Sequence, residues 1–105
     1  MKELTLVKEF VAENEGYEMK DYSIKGYNVR VVIQDEKVEE IVLRKCERFL
    51  PEISWSGFSW DKKEREFRIQ TTAYGSLEVD QIQEVIKGYQ TAIEVVEILK
   101  KILSK

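Results

Sequence analysis

The last quarter of the chain, residues 77–103, constrains the fold most strongly. Apolar side chains recur there every three or four residues, which predicts one long amphipathic helix of about 40 Å. The predicted core-facing stripe contains Ile82, Val85, Ile86, Tyr89, Ala92, Ile93, Val96, Leu99 and Leu103. Val95, Ile98 and Ile102 lie outside that stripe. We therefore expect the extra apolar side to be covered by an N-terminal helix or, in a homodimer, by residues 92–103 of a second subunit.

Gly88 lies inside this predicted helix. A glycine in a helix interior costs about 1 kcal/mol relative to alanine. Its presence therefore indicates that another backbone approaches the helix closely at this position.

The middle of the chain alternates apolar and polar residues, which is typical of β-strands. The clearest strand covers residues 27–34, and a polar turn separates it from a second strand over residues 38–44, for which a helix is the alternative. Residues 53–60 predict a third strand, with a bulge at Gly57, and residues 65–73 a fourth.

The N-terminal segment is less regular. Leu4, Val7, Phe10 and Val11 have helical spacing, which predicts a helix over residues 2–15. Residues 17–26 fit either an irregular strand or a loop. Residues 1–105 are thus expected to form one α+β domain with an N-terminal helix, three to five antiparallel strands and a long C-terminal helix packed on one sheet face.

The composition excludes several kinds of chemistry. The chain has no histidine and one cysteine, Cys46, so histidine-based catalysis, a disulfide within the chain and a structural zinc site are not expected. We expect no cofactor, no metal and no enzymatic activity. The net charge of −3 argues against nucleic-acid binding. No apolar run is long enough to span a bilayer, so a soluble, cytoplasmic protein without membrane contact is expected.

Two groups of residues are candidate contacts for a protein partner. The first is an aromatic strand made of Trp55, Phe58 and Trp60, for which core packing is the alternative. The second is an acidic turn made of Asp35, Glu36, Glu39 and Glu40. Acidic residues of this kind can engage a basic groove on another protein, although solvated carboxylates would give the same pattern.

Four segments resemble parts of small accessory proteins from phages and mobile elements of Gram-positive bacteria. They are Tyr-Asn-Val-Arg-Val-Val, Pro-Glu-Ile-Ser-Trp-Ser, Tyr-Gly-Ser-Leu and Ala-Ile-Glu-Val-Val-Glu-Ile-Leu, all within residues 27–103. The resemblance implies a non-catalytic protein that acts by binding a host or phage protein, and it includes anti-CRISPR inhibitors of Cas nucleases as one alternative. A structural homodimer is the other alternative.

Overall fold

A computed structural model describes residues 5–12, 16–56 and 65–103. These residues form an α+β structure of antiparallel strands and one C-terminal helix. In chain order the elements are β1 (Thr5–Ala12), β2 (Tyr17–Ile24), β3 (Tyr27–Gln34), β4 (Lys37–Lys45), β5 (Ile53–Ser56), β6 (Glu66–Ile69) and α1 (Val79–Leu103).

Strands β1 to β4 form an antiparallel sheet in which each strand pairs with the next one along the chain. Two-residue turns join β2 to β3 and β3 to β4. Their central residues have positive φ, at 44° for Lys25, 85° for Gly26, 52° for Asp35 and 66° for Glu36. Two-residue turns with positive φ at both central residues match the right-handed twist of the flanking strands. These turns therefore fix the register of both hairpins. Strands β5 and β6 pair with each other in a separate sheet.

The helix predicted over residues 2–15 is not seen, because the structure has strand β1 over Thr5–Ala12. This strand pairs antiparallel with β2, with Phe10 opposite Met19 and Leu6 opposite Tyr22. The apolar spacing that suggested a helix is also compatible with a strand. As a strand, the segment forms its backbone N–H and C=O hydrogen bonds with β2, whereas a short helix would have to form them within itself. The open question over residues 17–26 is answered by β2 and the turn that follows it.

The strand prediction for residues 27–34 is confirmed by β3, and the contested segment 38–44 is a strand within β4. The predicted third strand is seen over Ile53–Ser56, and the rest of it, with the Gly57 bulge, lies outside the described residues. The predicted fourth strand, residues 65–73, is shorter than expected and ends at Ile69. The long C-terminal helix is confirmed as α1.

Buried apolar side chains of β2, β3 and β4 share one core with those of α1. The buried apolar side chains are Ile24, Tyr27, Val29, Ile41, Leu50, Ile53, Ala92, Val95, Val96 and Leu99. The phenol of Tyr27 donates a hydrogen bond to the Pro51 carbonyl oxygen, which ties β3 to the segment that precedes β5. Burial raises the pKa of this phenol above its ordinary value. Tyr27 is the largest fully buried side chain, and this hydrogen bond satisfies its hydroxyl group in the core.

The helix buries part of the predicted stripe, because Ala92, Val96 and Leu99 lie in the core. Ile82, Ile86 and Ile93 were expected to face the core, but they are exposed. Val95, which was placed outside the stripe, is fully buried. The physical reason is the position of Gly88. Glycine has no side chain, so the side of the helix that carries Gly88 can approach the neighbouring backbone most closely.

Gly88 makes the close approach that its position predicted. A Cβ atom built at Gly88 would overlap the carbonyl oxygen of Phe49 and would lie 3.1 Å from the Phe49 carbonyl carbon. It would also lie 3.5 Å from the Leu50 Cα atom. The helix therefore rests directly on the backbone of residues 49–50, and the centre of its buried face is set by this contact.

Candidate functional site

The structure places the four members of the acidic turn on the hairpin that β3 and β4 form. Asp35 and Glu36 are exposed at the turn between β3 and β4. Glu40 is exposed on β4 opposite Val32, whereas Glu39 lies at the register shift of the same strand and is half-buried.

Trp55 occupies a different environment from either of the two that the sequence suggested. It is half-buried and packs against the core, yet it also lines an open groove. Its cross-strand partner in the β5–β6 hairpin is Phe67, with the two ring centroids 6.3 Å apart. Trp55 is thus both a packing residue and a surface residue. The other two members of the aromatic strand, Phe58 and Trp60, lie outside the described residues.

Arg65 holds the exposed part of Trp55 in place. Its guanidinium carbon lies 4.9 Å from the centre of the Trp55 ring, which is within the range of a cation–π contact. The same guanidinium donates a hydrogen bond from Nη1 to the backbone carbonyl oxygen of Glu39 on β4. Arg65 therefore links the aromatic side chain to the four-stranded sheet, and both contacts limit its own freedom of movement.

The groove lies between the β5–β6 hairpin and the last turns of α1. Its volume is about 510 Å³. Among the described residues it is lined by Trp55, Arg65, Glu66, Phe67, Lys100 and Leu103. Three of these side chains are apolar, and the two cations outnumber the one carboxylate. We call this feature the Trp55 groove.

Sequence reasoning found Trp55 but missed the role of Arg65. The signal was present in the alternation of β6, because residues two apart in a strand lie on the same face. Phe67 pairs with Trp55. Position 65 precedes Phe67 by two residues, so the continued alternation would have placed Arg65 on the same side as Trp55.

A second surface is an apolar strip along α1. It consists of Val79, Ile82, Ile86 and Ile93, whose exposed fractions are 71%, 46%, 52% and 50%. Spacings of three, four and seven residues keep these side chains on one side of a helix. We call this feature the α1 strip. By contrast, the apolar residues expected to pair two subunits between positions 92 and 103 are largely used inside the fold, since Val95, Val96 and Leu99 are buried.

The sheet face away from α1 is polar at its centre. Arg30 donates two hydrogen bonds to Asp21, from Nε to Oδ1 at 2.7 Å and from Nη2 to Oδ2 at 2.9 Å. The hydrogen bond to Asp21 raises the pKa of the Arg30 guanidinium. Asn28, Val42 and Arg44 line a depression of about 440 Å³ beside this pair. Antiparallel sheets commonly expose one face to solvent, and the polar side chains found here are typical of such a face.

The described residues contain no group of three or more His, Cys, Asp or Glu side chains close enough to hold a metal ion. No helix in the described part of the chain combines the length and apolar character needed to cross a membrane. No protein-family model, curated protein or solved structure matches this chain.

Proposed function

We propose that this protein is a non-catalytic binding module that holds an acidic, partly apolar segment of a protein partner in the Trp55 groove. The observation that supports this function is the half-buried Trp55, whose ring lies under Arg65 in a groove that Phe67 and Leu103 also line. Tryptophan and arginine are enriched among the residues that dominate protein–protein binding energy. A tryptophan that is already fixed in position loses little conformational entropy when a partner binds.

The charge of the groove favours an acidic segment. Arg65 and Lys100 line it, and Glu66 is the one carboxylate among its described lining residues. An acidic side chain of the partner would meet the two cations, while a neighbouring apolar side chain would cover Phe67 and Leu103. This arrangement resembles an interface with an apolar centre and a polar rim.

A protein partner fits better than a nucleic acid. Single-stranded nucleic acids need open aromatic faces for stacking and a basic surface for the phosphates. Arg65 already covers one face of Trp55, and the net charge of the chain is −3. The resemblance to accessory proteins of phages and mobile elements suggests a host or phage protein as the partner. Inhibition of a Cas nuclease would be one case of such binding, and no contact among the described residues favours it over others.

Selection from a random peptide display library, followed by titration, tests the proposal. Trp55 and Trp60 are the two tryptophans of the chain. The Trp60→Phe variant therefore makes Trp55 the sole indole reporter of fluorescence. We expect the selected peptides to be enriched in acidic and apolar residues, to change Trp55 emission in a saturable way, and to bind more weakly as salt is added.

Two matched variants locate the contact. Lys100→Ala removes a groove cation and should weaken peptide binding roughly fivefold, corresponding to the ~1 kcal/mol of an exposed ion pair. Lys87→Ala makes the same change at an exposed position of α1 that does not line the groove and should leave affinity unchanged. Equal effects of both variants, or peptides without acidic residues, would contradict the proposal. A saturable Trp55 response to an oligonucleotide of mixed sequence would identify a nucleic-acid binder instead.

A further inference from the structure

We propose that the partner segment in the Trp55 groove binds as an added β-strand on the free edge of β6. This binding mode rests on the proposed function, and it specifies the backbone conformation of the segment and the main-chain groups that hold it. Extended peptides that join a sheet edge gain affinity from main-chain hydrogen bonds, and they gain specificity from the side-chain pockets beside that edge.

Strand β6 is an edge strand, since in the described part of the chain it pairs with β5 and with no other strand. An edge strand presents a row of unpaired backbone N–H and C=O groups, which can serve as a template for another extended chain. In an antiparallel ladder, successive residues direct their backbone groups alternately toward the neighbouring strand and away from it. Every second residue of β6 therefore offers its N–H and C=O groups to the free edge.

A hydrogen bond that continues the β5–β6 register identifies these residues. The Gln70 N–H donates to the Glu52 carbonyl oxygen at 2.8 Å, so Gln70 directs its amide toward the β5 side. Arg68, two residues earlier, does the same, whereas Phe67 and Ile69 direct their backbone groups away from β5. Among the described residues, none pairs with the outward backbone groups of Phe67.

The Trp55 groove lies along this edge. Phe67 and Glu66 are neighbours in β6, so their side chains point to opposite faces of the hairpin. Both line the groove, together with Lys100 and Leu103 from the end of α1. A groove that reaches both faces of β6 and the end of the helix passes the outward edge of the strand. The outward N–H and C=O groups of Phe67 therefore face a segment that lies in the groove.

The bound segment is thus an extended, acidic and partly apolar stretch of protein. A helical segment does not suit this edge, because its backbone groups are already used in its own hydrogen bonds. In the added strand, side chains at every second position lie on the face of Trp55 and Phe67. The residues that contact this aromatic pair should therefore be two apart in the sequence of the segment.

Amide hydrogen exchange measured by NMR tests the strand on the intact chain, with a peptide from the display selection as the probe. Saturation with this peptide should slow exchange of the Phe67 amide by roughly tenfold or more, because the amide gains a hydrogen-bond acceptor. The Arg68 amide is the internal control, since it is directed toward β5 with or without the peptide. Its exchange should slow less than that of Phe67.

Peptides methylated at one backbone nitrogen at a time provide a second test that leaves the protein unchanged. Methylation at positions two apart, where the N–H faces β6, should weaken binding roughly fivefold through loss of one hydrogen bond, and the positions between them should be tolerated. A peptide that changes Trp55 emission saturably without this alternation, or with equal slowing at Phe67 and Arg68, would overturn the added strand and leave the proposed function standing. If no selected peptide changes Trp55 emission, the proposed function fails and the added strand fails with it.

Discussion

Replacing Gly88 by alanine separates two opposing effects on the free energy of unfolding. In an isolated helix the change would be stabilising by about 1 kcal/mol, because alanine has the higher helix propensity. In this fold the added methyl group would overlap the Phe49 carbonyl oxygen and crowd the Leu50 Cα atom, 3.5 Å away. The sign of the measured change therefore reports whether the helix is in contact with that backbone.

The contact should decide the result, because the obstacle is backbone and not the end of a flexible side chain. Leu50 and Pro51 are buried, and the Pro51 carbonyl oxygen accepts the hydrogen bond from Tyr27. Segment 49–51 therefore cannot move away without loosening the core. Overpacking of a core costs typically 1–3 kcal/mol, occasionally more. With a value near the upper end of that range and the propensity gain subtracted, we expect a net loss of about 2 kcal/mol.

Urea and thermal unfolding followed by circular dichroism measure this loss. A change of about 2 kcal/mol should lower Tm by roughly 8–16 °C in a domain of this size. Lys87→Ala, at the preceding exposed helix position, is the control and should stay within about 0.5 kcal/mol of wild type. A Gly88→Ala variant as stable as wild type, or more stable, would refute the close packing of α1 on residues 49–50.

Two further changes test the core and the turns. Tyr27→Phe removes the donor to the Pro51 carbonyl oxygen and should destabilise by about 1–2 kcal/mol in urea unfolding. Because burial raises the pKa of Tyr27 in the folded state, its stabilising contribution should be complete below the ordinary value of 10.0 and decline as the pH rises beyond it. The fall in wild-type stability between pH 9 and pH 11 should then be steeper than that of Tyr27→Phe; parallel pH profiles would show that the phenol is not buried. Glu36→Gly relieves a positive φ of 66° and should raise stability by about 0.5–1 kcal/mol, so a lower Tm would contradict the observed turn geometry.

Alternation and periodicity predicted the elements whose sequence pattern agrees with their final environment. In β3, Tyr27 and Val29 are buried while Asn28 and Arg30 are exposed, so the pattern of the sequence is also the pattern of burial. The C-terminal helix is similarly clear, because 25 consecutive residues without proline keep an amphipathic pattern. Gly88 was informative in another way, because a glycine that lowers helix stability indicates a contact that compensates for this cost.

The remaining features depend on partners that are distant in sequence. Thr5–Ala12 carries apolar residues whose spacing suits a helix and also suits a strand, and pairing with β2 decides between them. The buried face of α1 depends on how closely Gly88 approaches Phe49, which periodicity does not encode. The Trp55 groove likewise requires β6 and the end of α1 to meet, although the sequence did identify Trp55 as a candidate contact.

Chemical-shift mapping by NMR tests the central claim most directly. A ¹⁵N-labelled sample of the intact chain is titrated with an acidic, apolar peptide obtained from the selection. Binding in the Trp55 groove predicts saturable shifts of the Trp55 indole N–H and of the backbone amides of Phe67 and Leu103. Shifts confined to the opposite sheet face, at Asn28 and Arg44, would contradict it.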